Sequence, residues 1–173
     1  MASQVDGDLS KIQTGPCEVT FGGDSVGHTM EGVKFSVKPD IRKRTVDEYG
    51  TMRADMIYQG EDIEVTTTLA EKTMAVLRIV YMWGYEVSSV RQGFGRLPGT
   101  KGSDLAQELR LHPLDIAGTS EDVVFHKACV MSTAEVQFGV ITADRVFGVT
   151  FACLIDETKT EAQGLLGYIG GPA

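Results

Sequence analysis

Two stretches of strict alternation, separated by a highly charged excursion, set the strongest limit on how this chain folds. In the first, Val33, Phe35 and Val37 fall on one side of an extended strand while Lys34, Ser36 and Lys38 fall on the other. In the second, Ile63, Val65 and Leu69 oppose Asp62, Glu64, Thr66 and Thr68. A period of two sends successive side chains to opposite faces, so each stretch reads as a half-buried β-strand. Between them, Pro39 to Asp55 carries the basic cluster Arg42, Lys43, Arg44, followed at once by Asp47 and Glu48. This segment is too polar to be core and too long for a tight turn, and is expected to be a long charged loop.

The rest of the chain continues the β pattern. Cys17 to Phe21 alternates, Gly22-Gly23-Asp24 supplies a turn, and Ser25 to Thr29 returns as a short strand. Asp55 to Tyr58 and Asp62 to Leu69 read as a second hairpin about Gln59-Gly60-Glu61. Then the period changes. Met74, Leu77, Val80 and Tyr81 fall at helical spacing, Glu71 precedes them and Gly84 follows, which predicts a helix over 72–83 with an apolar stripe. Tyr85 to Gln92 alternates weakly, and the glycines and proline of 93–104 mark a loop. Leu105 to His112 reads as a strand with Leu109 and Leu111 inward, and Asp115 to Glu121 as a turn. Strands are expected at Val123–Met131, Ala134–Val140 and Arg145–Ile155, the last apolar on both faces and therefore central. About eight short strands and one helix predict a mainly β sandwich or barrel with the helix against it.

A chain of 173 residues is long enough to bury roughly 70% of its unfolded surface in one core, and no linker divides it. A single domain spanning 1–173 is expected, with an N-terminal arm over 1–14 and a C-terminal arm over 157–173. The net charge of -8 repels phosphate, which argues against stable nucleic-acid binding. The N-terminus has neither a basic nor an apolar export region, and the longest apolar run, Ala75 to Trp83, is interrupted by Arg78. Neither secretion nor membrane insertion is expected. Three cysteines, Cys17, Cys129 and Cys153, lack metal spacing and are expected to be free thiols of a cytoplasmically made product.

His28, His112 and His126 are the candidates for acid–base chemistry, but none stands in a hydrolase, protease or metal signature. His126, between Phe125 and Lys127 in a strand, reads as structural. Gly93, Gly95 and Gly99 depart from the dinucleotide fingerprint in spacing, and Leu97-Pro98-Gly99-Thr100-Lys101 departs from a sorting signal at Lys101. No enzyme activity, cofactor or metal is expected.

Gly27, Thr29-x-x-Gly32-Val33, Val46-Asp47-x-Tyr49-Gly50-Thr51, Asp55, Gly60-Glu61 and Leu69-Ala70-Glu71 occur in an order and spacing that resembles the tail tube (major tail) proteins of tailed bacteriophages. Lys127-Ala128, the stretch Val146 to Asp156 and Leu165-Leu166-x-x-Ile169-Gly170 extend the likeness. The resemblance implies a β-sandwich with a flanking helix that closes into homohexameric rings by extending a sheet from copy to copy. Those rings stack into a hollow tube for DNA ejection. It implies that the long loop reaches the adjacent ring, making Arg42, Lys43, Arg44, Asp47, Glu48, Tyr49 and Arg53 candidate inter-ring contacts. Alternation puts Asp62, Glu64, Thr66 and Thr68 on one side of a strand, facing either solvent or the lumen. Implied partners are further copies of the chain, a tape-measure protein, a tail terminator and distal tail or baseplate proteins, with DNA passing without specific binding. The implied location is the virion tail, assembled in the host cytoplasm. A β-scaffold hydrolase or sugar-modifying enzyme, and a secreted tube or pilus-like subunit, are the alternatives.

Overall fold

The computed structural model describes residues 15–45, 47–131 and 146–171. The expected N-terminal arm and the expected strand Ala134–Val140 lie outside the described residues, as does Arg145. The protein is mainly β, as the alternation requires, and is built on one antiparallel sheet of eight strands. In chain order its strands are β1 (Cys17–Phe21), β2 (Asp24–Ser25), β3 (Thr29–Thr45), β4 (Arg53–Leu69), then β7 (Gln107–Pro113), β8 (Val123–Val130), β9 (Phe147–Leu154) and β10 (Gly167–Ile169). A separate hairpin, β5 (Tyr85–Ser88) with β6 (Arg91–Gly93), and two short helices, α1 (Met74–Val80) and α2 (Gly102–Leu105), complete the elements.

The sheet order is β2-β1-β7-β8-β9-β4-β3, with β10 added to β8 beyond the end of β9. The sheet curls back on itself. Phe21 of β1 meets Phe151 of β9 with ring centroids 5.3 Å apart, and Phe35 of β3 meets Phe125 of β8 edge-on at 6.3 Å, although each pair is separated by two intervening strands. Right-handed twist gives a wide sheet this curvature, and the concave face becomes the core. Phe147, Phe151, Leu69 and Leu109 are fully buried there. Each contributes about 1.5–3 kcal/mol relative to exposure.

Helix α1 closes the core with Val76, Ile79 and Val80. Thr73 caps its N-terminus, its hydroxyl accepting from the Val76 N–H at 3.2 Å, so the helix starts two residues after the expected Lys72 and ends at Val80, three before Trp83. Trp83 falls outside the helix and donates its indole N–H to the Val130 carbonyl at 2.8 Å.

Several local expectations differ in the structure. The segment 39–55 is no long loop: β3 continues to Thr45 and β4 begins at Arg53, leaving only 46–52 as the connection. Gln59-Gly60-Glu61 is no turn either. β4 runs straight through it, pairing Asp40 with Gly60 and Ile41 with Tyr58, so that Gln59 is the extra residue of a β-bulge. Gly60, at φ 147, adopts a conformation that other side chains resist. Tyr85 to Gln92 is a hairpin rather than one strand, and the expected loop 93–104 contains the start of α2. The early hairpin is tighter than expected, with Gly22-Gly23 as its turn and β2 only two residues long. The C-terminal arm folds back onto its own subunit: the His126 N–H donates to the Leu166 carbonyl at 3.0 Å, and β10 pairs with Val123–Phe125.

Candidate functional site: the projecting hairpin arm

β4 pairs with β9 only from Glu64 to Leu69. From Arg53 to Ile63 its sole strand partner among the described residues is β3, so the distal halves of the two longest strands stand off the body as a two-stranded arm. Residues 41–45, 47, 48 and 50–59 are all exposed. A ribbon with water on both faces and open edges along both strands is marginally stable by itself and presents unpaired backbone donors and acceptors.

The register assigns the faces, because residues opposite each other in an antiparallel pair share one side. Phe35 lies opposite Val65, Val37 opposite Ile63, Ile41 opposite Tyr58 and Lys43 opposite Met56, which carries the core face out along the arm as an apolar row. Pro39 and Glu61 interrupt this row between Val37–Ile63 and Ile41–Tyr58, and the bulge resumes it beyond them. The bulge reverses the parity of β4, so that Tyr58 joins the side of Ile63 instead of the opposite one. Tyr58 and Met56 remain 60% and 58% exposed, and Met52 beside the tip 65%. At its base the apolar row borders a groove of about 640 Å³, walled by Phe35, Val37 and Ile63 on one side and Phe125, Leu166 and Ile169 on the other.

The opposite face is charged. Asp62 lies opposite Lys38, Glu64 opposite Ser36, Thr66 opposite Lys34 and Thr68 opposite Met30. The four lumen candidates therefore share the face of β4 away from the core, and they share it with the cations of β3. The inter-ring candidates lie further out. Arg42 and Arg44 are on the charged face and Lys43 is on the apolar one. Asp47, Glu48 and Tyr49 form a single 3-10 turn at the tip, and Arg53 opens β4 opposite Thr45. The arm thus brings all seven onto one projection.

A second polar constellation escaped the sequence reading. Asp122, 1% exposed, accepts from Arg110 Nε at 2.6 Å through Oδ2 and contacts His112 Nδ1 at 2.6 Å through Oδ1. The Arg110 Nη2 also touches Oδ2. Burial pushes the Asp122 carboxyl up, but the hydrogen bonds and charges of His112 and Arg110 outweigh it and hold the group below the ordinary carboxylate range. The signal was there: Arg110 and His112 are two residues apart on one strand and so share a face. Their partner follows in a loop, where no periodicity points to it. Cys17 is no nucleophile to this pair. It shares the side of Val19 and Phe21, whereas His112 lies opposite Glu18 on the other side, and burial raises the thiol. The Asp122 carbonyl accepts from the Gly170 N–H at 2.8 Å, so the cluster also anchors the end of β10.

At the other end of the C-terminal segment Lys127 reaches Asp156 at 3.0 Å. That bond, with the N–H and hydroxyl of Thr158, holds the Asp156 carboxyl down at about 2. His28 lies 3.6 Å from Glu71 on the surface, and the His126 ring packs on Tyr168 at 5.6 Å. Among the described residues no three His, Cys, Asp or Glu side chains form a metal-binding group, and no helix is long and apolar enough to cross a membrane. Compared with known proteins, the chain matches no protein-family model and no curated protein.

Proposed function

We propose that the protein is a structural subunit that self-assembles into stacked hexameric rings, forming the hollow tail tube through which a bacteriophage delivers DNA. The observation that carries this reading is the arm. Among the described residues, 53–62 of β4 pair with no strand except β3, yet they present apolar side chains and two open edges. An isolated soluble protein gains nothing from such a projection, whereas a subunit that meets further copies satisfies the edges and buries the row. The likeness in residue order to tail tube proteins supplies the identity of the assembly and its further partners: tape-measure protein, terminator and distal tail proteins.

The charged face supports passage of DNA without capture. Each unpaired cation facing a polyanion releases counterions and adds affinity, but here Asp62 and Glu64 stand in the same rows as Lys34 and Lys38. If this face lines the lumen, its cations are offset locally. The test compares the full chain with a variant in which 41–58 is replaced by a two-residue turn. The reading expects large assemblies from the first and a folded, non-stacking protein from the second by sedimentation velocity. Undiminished assembly of the shortened chain would remove the arm's role.

A further inference from the structure

A second exposed apolar surface lies on the body of the molecule, away from the arm. Trp83, Tyr85, Val87, Val90, Phe94 and Leu97 are 44% to 82% exposed, although they fall within fifteen consecutive residues. Only Phe94 has a ring partner among the described residues, Tyr81, met edge-on at 5.3 Å. So many large apolar groups in one stretch exceed the scattered exposure that solubility tolerates, and they mark a contact surface.

Its position relative to the arm follows from the ladder. Trp83 is hydrogen-bonded to Val130, which lies opposite Phe151, which lies opposite Val65 of β4. The surface is therefore level with Val65, twelve residues from Arg53 at the arm tip. At about 3.3 Å per residue that separation is roughly 40 Å. No subunit brings its own arm tip to its own surface across that distance. The arm of another copy meets no such obstacle.

The arm end is of mixed charge, but its outermost turn is acidic: it carries Asp47 and Glu48, with Met52 exposed beside them, while Arg44 and Arg53 lie behind it on the strands. Around the apolar surface, exposed Arg91 and Lys101 stand against a single carboxylate in that stretch, Glu86, which is already bound by Arg78 at 2.7 Å. In a chain of net charge -8 this is a locally cationic rim.

We propose that the arm tip of one copy docks on the Trp83–Leu97 surface of the next, with Asp47 and Glu48 against Arg91 and Lys101. The contact is head-to-tail: two different patches meet, so the same step repeats from copy to copy, and where its rotation does not close a ring it sets the axial direction of the assembly. Opposite charges fix its register, while the apolar groups supply the buried area. The proposal rests on self-assembly and names the surface that receives the arm.

The experiment mixes two forms of the full chain. One carries a photoreactive phenylalanine analogue at Met52, and the other is nitrogen-15 labelled without the probe. After assembly and illumination, crosslinked peptides joining labelled to unlabelled chains are located by mass spectrometry. The expected crosslinks fall within residues 83–101. Assemblies that form normally but crosslink elsewhere overturn the docking surface and leave the assembly reading standing, whereas a sample that never assembles overturns both. A charge exchange closes the argument: D47K/E48K and R91E/K101E should each lose assembly, and mixing the two variants should restore contacts between unlike copies. Failure of the mixture to restore any assembly, with both variants folded by circular dichroism, counts against the pairing.

Discussion

Replacing Asp122 with asparagine tests the energetics of the fold at a single buried carboxylate. The substitution keeps the shape and removes the charge that Arg110 and His112 share. Removing one member of a fully buried ion pair costs about 3–5 kcal/mol, because the other is stranded. Here the Arg110 and His112 side chains remain 39% and 27% exposed, so both retain access to water and the cost falls to about 1–3 kcal/mol. The pH dependence has a definite sign. Asp122 titrates below its ordinary value of 3.8 in the folded protein, so its contribution is complete above that value and is lost as pH falls through the lower, folded one. Urea unfolding of both proteins, at concentrations too low for assembly, should show the full difference at pH 7 and a shrinking one below about pH 4. A difference under about 0.5 kcal/mol at pH 7, the scale of an inert surface change, would refute the reasoning. So would a difference that stays constant down to pH 3.

Further outcomes follow from packing and register. Burial raises all three thiols, Cys153 to about 12, so alkylation of the native protein at pH 8 should label half-buried Cys17 first and Cys153 last; an intact mass two protons low in unreduced protein would contradict free thiols. A Cβ at Gly167 would meet the Val124 carbonyl oxygen at 2.2 Å, so Gly167→Ala should detach β10 and speed amide exchange at His126 and Gly170, which a local hydrogen-exchange measurement reads directly. Asp62→Lys with Glu64→Lys adds two cations to the four already on that face of the β3–β4 ladder, Lys34, Lys38, Arg42 and Arg44, and if that face lines the lumen the tubes should retain DNA in a salt-dependent way. Tubes that bind no more DNA than wild type would place the face outside.

Sequence pattern revealed the strands that have one wet and one dry face and missed those that have neither. Ile63 to Leu69 alternates because the core lies under every second residue, and the period shift at Met74 marks α1 for the same reason, whereas of Val33, Phe35 and Val37 only Val33 reaches the core and the other two stay 40% and 47% exposed at the rim of the groove. Beyond Val37 no core lies beneath β3, so Asp40 to Arg44 gave no reason to expect a strand; β4 across the ladder holds this part of it. Gly60 misled in another way, since a bulge and a turn both select glycine. The seven inter-ring candidates therefore fall on one projection, but a strand pair with a short tip stands where a long loop was expected. β10, with three residues, is too short for any period, and its position depends on contacts to His126 and Asp122 distant in sequence. The apolar surface at Trp83–Leu97 is visible as composition, but only its exposure and its distance from the arm give it meaning.

The most direct test of self-assembly is electron microscopy of the purified full chain, with class averages viewed down the assembly axis. The account predicts stacked rings or open-ended tubes with six subunits around a central channel. A field of single subunits across concentration and ionic strength, with the protein folded, would contradict it.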